Sequence, residues 1–153
     1  MTIEIRRLAY TPEAFAPLIE EADAAGLAFL SRLRDEWLSG FLRFERPGER
    51  LLGAFVDGRL VGVGGMSHDP YQPADGLGRV RHLYVLRAFR RRGIARHLMA
   101  EILARAGPDF TTLRLRTNSL EAGRLFESLG FQRADRADET HRLRLQISSA
   151  NRP

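Results

Sequence analysis

The stretch Leu83–Ala95, Leu-Tyr-Val-Leu-Arg-Ala-Phe-Arg-Arg-Arg-Gly-Ile-Ala, begins as an apolar run and ends as the start of a stripe. Ile94, Leu98 and Ile102, flanked by Ala95, Met99, Leu103 and Ala106, recur at the spacing of one helical face. A strand therefore runs through a basic, glycine-containing turn into a helix that starts near Gly93. Upstream, Ile3 and Ile5 alternate with Glu4 and Arg6, predicting a first strand near residues 2 to 8. Thr11-Pro12-Glu13 has the cap, N1 proline and acidic first turn of a helix start, and Phe15, Leu18, Ile19 and Ala22 follow at helical spacing. Residues 27 to 39, with Leu30, Leu33, Trp37 and Leu38, read as a second amphipathic helix. Leu51–Val56 and Leu60–Met66 are apolar runs joined by Asp57-Gly58, a hairpin signal.

A loop from His68 to Gly78 carries Pro70, Pro73, Gly76 and Gly78 and precedes a fourth strand near Arg79. Leu113, Leu115 and Thr117 alternate with Arg114 and Arg116, and Leu143, Leu145 and Ile147 alternate with polar neighbours, predicting the fifth and seventh strands. A helix over about Leu120–Leu129 ends at Gly130, where a left-handed residue fits, and a short sixth strand follows. The pattern predicts one α/β domain over residues 1–147, with a mixed, mostly antiparallel sheet of about seven strands and about four helices. Residues 148–153 read as a frayed tail.

The turn before the third predicted helix has the makings of an anion site. The first turn of a helix leaves N–H groups without partners, and its dipole places roughly half a positive charge there. Gly93 permits positive φ or close approach, while Arg90, Arg91, Arg92 and Arg96 supply charge and forked donors.

At 153 residues and 44% hydrophobic content the chain suits one core. No run approaches the roughly 20 apolar residues of a membrane span, and the N-terminus lacks a signal-peptide layout, so a cytoplasmic protein without a membrane partner is expected. The absence of cysteine excludes disulfides, thiolate zinc sites and a cysteine nucleophile. Four scattered histidines show no metal-ligand spacing, so no metal is expected. Ser67, Ser119 and Ser128 sit in no nucleophile elbow. The net charge is +5, every one of the 24 basic residues is arginine, and five of these lie between Arg87 and Arg96. A polyanion partner would suit such a run. Only Phe89 lies within it as a stacking aromatic, so a nucleic-acid partner is not expected.

Leu83-Tyr-Val85-x-x-x-x-Arg90-x-x-Gly93-x-Ala95 resembles the acyl-CoA signature of the GNAT superfamily of N-acetyltransferases, Arg/Gln-x-x-Gly-x-Gly/Ala, which lies between the fourth strand and third helix. The segment Asn118-Ser-Leu-Glu-Ala-Gly-Arg-Leu-Phe126-Glu-Ser-Leu-Gly130-Phe131 is similar to the family's later block, in which an Asn ends the fifth strand and a helix closes on Leu-Gly-Phe. The resemblance implies a sheet splayed between its fourth and fifth strands, with acetyl-CoA as co-substrate and its pantetheine arm in the gap. It implies transfer of an acyl group, acetyl foremost, to a primary amine of a small molecule or protein by direct attack in a ternary complex, in a monomer or homodimer. Leu83, Val85, Arg90 to Arg92, Gly93, Ile94, Ala95, Arg96, Asn118 and Phe126 would hold the donor, and the Val85 main-chain N–H would meet the oxyanion.

The sequence departs from the family at Phe126, where many members carry the tyrosine that protonates the departing thiolate, and at Arg87, where Pro is frequent. Tyr84 is a candidate replacement acid. His82 is the candidate base, because an unperturbed imidazole titrates near pH 6.5 beside the expected thioester. Strict alternation puts His82 with Val80 and Tyr84, and Arg79 and Arg81 with Leu83 and Val85; a bulge would shift that parity. If the arginine face lines the cleft, the acceptor carries a carboxylate. Asp35, Glu36, His68, Asp69 and Asp75 are further candidates for holding an amine or plain surface residues, and His97 and His141 receive no role. An acyl-CoA-binding module with reduced catalysis is the alternative that Phe126 motivates.

Overall fold

The computed structural model describes residues 2–145. In chain order the elements are β1 (Ile3–Arg7), α1 (Pro12–Ala24), α2 (Phe29–Ser39), β2 (Arg50–Val56), β3 (Arg59–His68), β4 (Leu77–Val85), α3 (Ile94–Ala104), β5 (Thr112–Leu115), α4 (Leu120–Ser128), β6 (Gln132–Arg136) and β7 (Glu139–Arg144). The strands form one sheet in the order β1-β2-β3-β4-β5-β7-β6, antiparallel except where β4 meets β5. This is the seven-stranded, four-helix mixed architecture that the hydrophobic pattern predicts. The expected positions of Ile147 and of the tail from residue 148 lie outside the described residues. No helix among the described residues is long and apolar enough to cross a membrane.

The hairpin between β2 and β3 turns on Asp57 and Gly58, both at positive φ (51° and 80°), the mirror-image geometry that matches strand twist. Helices α1 and α2 cover one face of the sheet, where Phe29 packs edge-on against the Tyr84 ring at 6.0 Å. Helix α3 covers the other. It presses so close to β3 that a Cβ at Gly64 would stand 3.2 Å from Ile102, and one at Gly62 would stand 3.4 Å from Ile94. Phe15, Leu18, Leu30 and Leu33 fill one layer, and Leu98, Met99 and Ile102 the other, all at 1% exposure or less.

Two irregularities in β4 position everything that follows. Its ladder to β3 pairs Val63 with Tyr84 and Gly65 with Arg81, so Gly64 faces two residues, His82 and Leu83. His82 takes φ +63° at this bulge. Simple alternation is thereby overturned: Arg81 and His82 both project toward α2, and Leu83 turns toward α3, where it joins Ile102 around Gly64. The second irregularity is the splay. β5 pairs with β4 only through Leu77, Gly78 and Arg79, and beyond Arg79 the strands part.

Candidate active site

The open edge of β4 ends in the predicted strand-turn-helix. The Leu86 N–H donates to Val61 of β3 at 2.8 Å, so by the alternation of a strand the N–H and C=O of Val85 point the other way, into the splay. A single tight turn over Arg87–Phe89 closes through Phe89 N–H to the Leu86 carbonyl, 2.9 Å, and the chain then bends with Arg91 at φ +63° and Gly93 at φ +78°. The first intrahelical bond of α3 runs from His97 N–H to the Gly93 carbonyl at 2.9 Å. The N–H groups of Ile94, Ala95 and Arg96 therefore have no acceptor in their own helix. A Cβ on Gly93 would meet nothing within 4 Å, so the bend faces open space.

Across the splay, Asn118 leads into α4, whose cap is the Ser119 hydroxyl accepting from Ala122 N–H at 3.1 Å. Arg96 donates to Ser128 Oγ at 2.9 Å, tying the first turn of α3 to the last of α4. Phe126 is buried against Phe131, ring centroids 5.6 Å apart, and its other neighbour is the His141 imidazole at 6.2 Å. Phe126 occupies its place as an apolar core residue.

On the α2 side of β4 the side chains are charged and aromatic. Arg81 forms a bidentate pair with Glu36 of α2 at 3.0 and 3.1 Å. His82 is 7% exposed, stands edge-on to the Phe44 ring, and has no hydrogen-bond partner on either ring nitrogen. Burial, reinforced by the Arg81 charge, pushes its pKa down to about 3, so the ring is neutral. Tyr84 donates to Glu21 of α1 at 2.6 Å, and burial together with that carboxylate raises the phenol to about 12. Glu21 also accepts the Arg87 N–H at 3.0 Å. Desolvation opposes its charge, but the bonds from Tyr84 and Arg87 and the nearby guanidinium of Arg90 outweigh it and lower its pKa.

Where β4 and β5 still pair, a buried ionic network closes the splay. Arg114, 1% exposed, donates to Asp69, to Asp138 at 2.7 Å and to Glu139 at 3.4 Å. Arg79 joins it through Asp69 at 3.4 Å and the Asp138 carbonyl at 2.7 Å. Asp69 also accepts the N–H groups of Tyr71 and Gln72, at 2.8 and 3.2 Å. Desolvation works against the Arg114 cation, but the surrounding carboxylates hold it charged more firmly than an ordinary guanidinium. Asp69 and His68 also line a cavity of about 440 Å³ beside the loop after α2, together with Phe41, Leu42, Arg46 and Glu49.

The fold thus brings Leu83, Val85, the bend from Arg90 to Arg96, Asn118 and the start of α4 to one splay, with His82 and Tyr84 on the α2 face of the same strand. Arg90 is exposed, and its Nε donates to the Val85 carbonyl at 2.8 Å. Asp35 pairs with its exposed neighbour Arg34, and Asp75 is exposed. His97 is exposed on α3, whereas His141 is buried and bonded to Glu127 at 3.1 Å. Glu21 and Arg114 escape a reading of the sequence: one looks like any polar position on a helix, the other like the solvent side of an alternating strand.

The family model for the acetyltransferase (GNAT) domain matches residues 47–133, more than half of the chain, and the chain belongs to that family. The fold agrees. A crystal structure from Exiguobacterium sp. 255-15, whose assignment as an acetyltransferase is itself provisional, superposes with a TM-score of 0.83 at 25% identity over 94% of both chains. The ribosomal-protein-alanine N-acetyltransferase of Brucella melitensis gives 0.68 at 22% identity, over 93% of this chain and 99% of that one. The N-acetylglutamate synthase of Neisseria gonorrhoeae, solved with coenzyme A and N-acetyl-glutamate, gives 0.70 at 22% identity over 96% of this chain and 36% of the synthase. No curated protein sequence matches the chain.

Proposed function

We propose that this protein transfers an acyl group, acetyl foremost, from acetyl-CoA to a primary amine of a small molecule or protein, within a ternary complex. The observation that carries the reading is the joining of the unpaired Val85 edge to the unclaimed N–H groups of Ile94, Ala95 and Arg96 through an open, left-handed Gly93. A diphosphate suits the second feature and the amides of a pantetheine arm suit the first. Arg91, Arg92 and Arg96 add charge at the bend, and Leu83 and Asn118 flank the arm. Among the compared structures, the Neisseria synthase with its bound coenzyme A supports the choice of donor.

The Val85 N–H, held in the splay by the sheet, is placed to stabilise the oxyanion as the amine attacks the thioester carbon. The attacking amine must be neutral, although a free alkylamine has a pKa of about 10.4. His82, the base the sequence suggests, is neutral, but both its ring nitrogens are buried and burial holds its pKa near 3, so the proton of the amine passes to water rather than to this ring. Tyr84 lies on β4 itself, and its hydroxyl proton is committed to Glu21. Phe126 has no proton to give, so thiolate departs unassisted, which a thiol of pKa about 8.5 tolerates.

That same residue favours one second reading, an acyl-CoA-binding module with reduced catalysis. Thiol release measured with acetyl-CoA and a panel of amines separates the two. Amine-stimulated release above hydrolysis supports the transferase, and CoA binding with no stimulation by any amine supports the binding module.

A further inference from the structure

The cavity of about 440 Å³ between the loop after α2 and the loop after β3 is separate from the donor splay. Its wall includes Ser67, which pairs with Arg79 and lies three residues along β3 from Gly64, the residue facing the bulge. At about 3.3 Å per residue, about 10 Å separates the two. The chemistry of that wall is one-sided. Glu49 is 4% exposed, and its carboxylate accepts the Arg46 N–H at 3.1 Å and the His68 N–H at 2.9 Å, one on each oxygen. No cation among the described residues pairs with it: the Arg7 guanidinium reaches only its main-chain carbonyl, at 3.3 Å. Buried carboxylates are ordinarily paired with a cation, and two N–H bonds leave half of roughly four acceptor positions open. Ser67 spends its hydroxyl proton on the His68 carbonyl at 2.9 Å, so its oxygen is also left as an acceptor. Asp69, by contrast, already carries Arg79 and Arg114. The outer lining is exposed and of mixed sign, Arg43 and Arg46 with Glu45, and Phe41, 69% exposed, adds an aromatic face.

We propose that this cavity binds a small primary alkylammonium ion, its N–H donors on Glu49 and the Ser67 oxygen and its chain against Phe41. An ammonium offers three donors and no acceptor, the complement of this wall, and its charge supplies the counter-ion that Glu49 lacks. An exposed aromatic ring attracts the same cation. An amine attacking a thioester must be neutral, whereas this wall stabilises the charged form. The cavity therefore holds an ammonium that does not react.

The test is a titration of the ¹⁵N-labelled protein with n-butylammonium chloride, at constant ionic strength and without coenzyme A, so its outcome is independent of the donor-site reading. The amides of Arg46 and His68 donate to Glu49 and report its carboxylate directly. Saturable shifts at both, with a dissociation constant on the order of millimolar, are expected, and n-butanol, the uncharged counterpart, is expected to leave them unmoved. Glu49→Gln should weaken butylammonium by at least about tenfold, and Phe41→Ala, at an exposed position, by about threefold. No saturation up to about 100 mM, equal shifts with butanol, or an unchanged affinity in Glu49→Gln overturns the proposal. If Glu49→Gln folds poorly, Phe41→Ala decides in its place, undiminished affinity there being the contrary result.

Discussion

Replacing His82 by Asn tests the electrostatics of the β4 bulge, and the effect on acid stability follows from the structure. Asn tolerates the φ of +63° better than most residues and does not titrate. His82 is 7% exposed beside the Phe44 ring, and burial, reinforced by the cations Arg81 and Arg32 and opposed by the Phe29 main chain, holds its pKa near 3 against about 6.5 in the unfolded chain. A depressed histidine pKa means that, between those values, the unfolded chain binds a proton that the native chain refuses. Stability is therefore complete above pH 6.5 and falls as the pH drops toward 3. At pH 5, about 1.5 units below the unfolded pKa, the loss is about 2 kcal/mol at about 1.36 kcal/mol per unit. Urea unfolding followed through the Trp37 fluorescence at pH 7 and pH 5 reads this difference. Wild type should lose about 2 kcal/mol more than His82→Asn over that interval. Glu21, Asp138 and Glu139, whose pKa values are also lowered, titrate in both proteins and cancel. An interval loss equal in the two proteins would refute a neutral, unpartnered His82.

Gly93→Ala should cost about 1–2 kcal/mol of stability from its left-handed φ, with no clash in the free protein, and should weaken coenzyme A binding by more than tenfold because the new Cβ enters the open space of the bend; unchanged affinity by calorimetry would contradict this. Asp69→Asn removes the carboxylate shared by Arg79 and Arg114 and should destabilise by about 3–5 kcal/mol in urea; a loss under about 1 kcal/mol would show that the network relaxes around it. Phe126→Tyr should speed amine-stimulated thiol release by at least about tenfold, most clearly below the thiol pKa of about 8.5; an unchanged or slower rate in stopped assays would count against thiolate departure as a slow step.

What could be read from the sequence is what depends on neighbours along the chain. The hairpin at Asp57-Gly58 and the helix stop at Gly130, φ +101°, follow from local backbone needs, as does the start of α3 at Gly93. The strand-turn-helix at Gly93 and the Asn118–Phe131 block were legible for the same reason. The α2-facing side of β4 and the buried ionic network depend on contacts between distant segments. Arg114 alternates with Leu113 and Leu115 as a solvent-facing residue would, yet it is buried because Asp69 and Asp138 arrive from 45 and 24 residues away. Glu21 meets Tyr84 across 63 residues. The bulge at His82 moves the parity of β4 by one residue, and nothing in the alternation itself marks where that shift falls. Glu36, weighed as a group to hold an amine, is instead occupied by Arg81.

The most direct measurement is a titration of the ¹⁵N-labelled protein with coenzyme A, followed by amide shifts. Saturable changes concentrated at Leu83, Val85, residues 93–96 and Asn118 are the predicted result. Saturation that leaves those amides unmoved, or no binding at millimolar coenzyme A, would contradict a donor site at the splay.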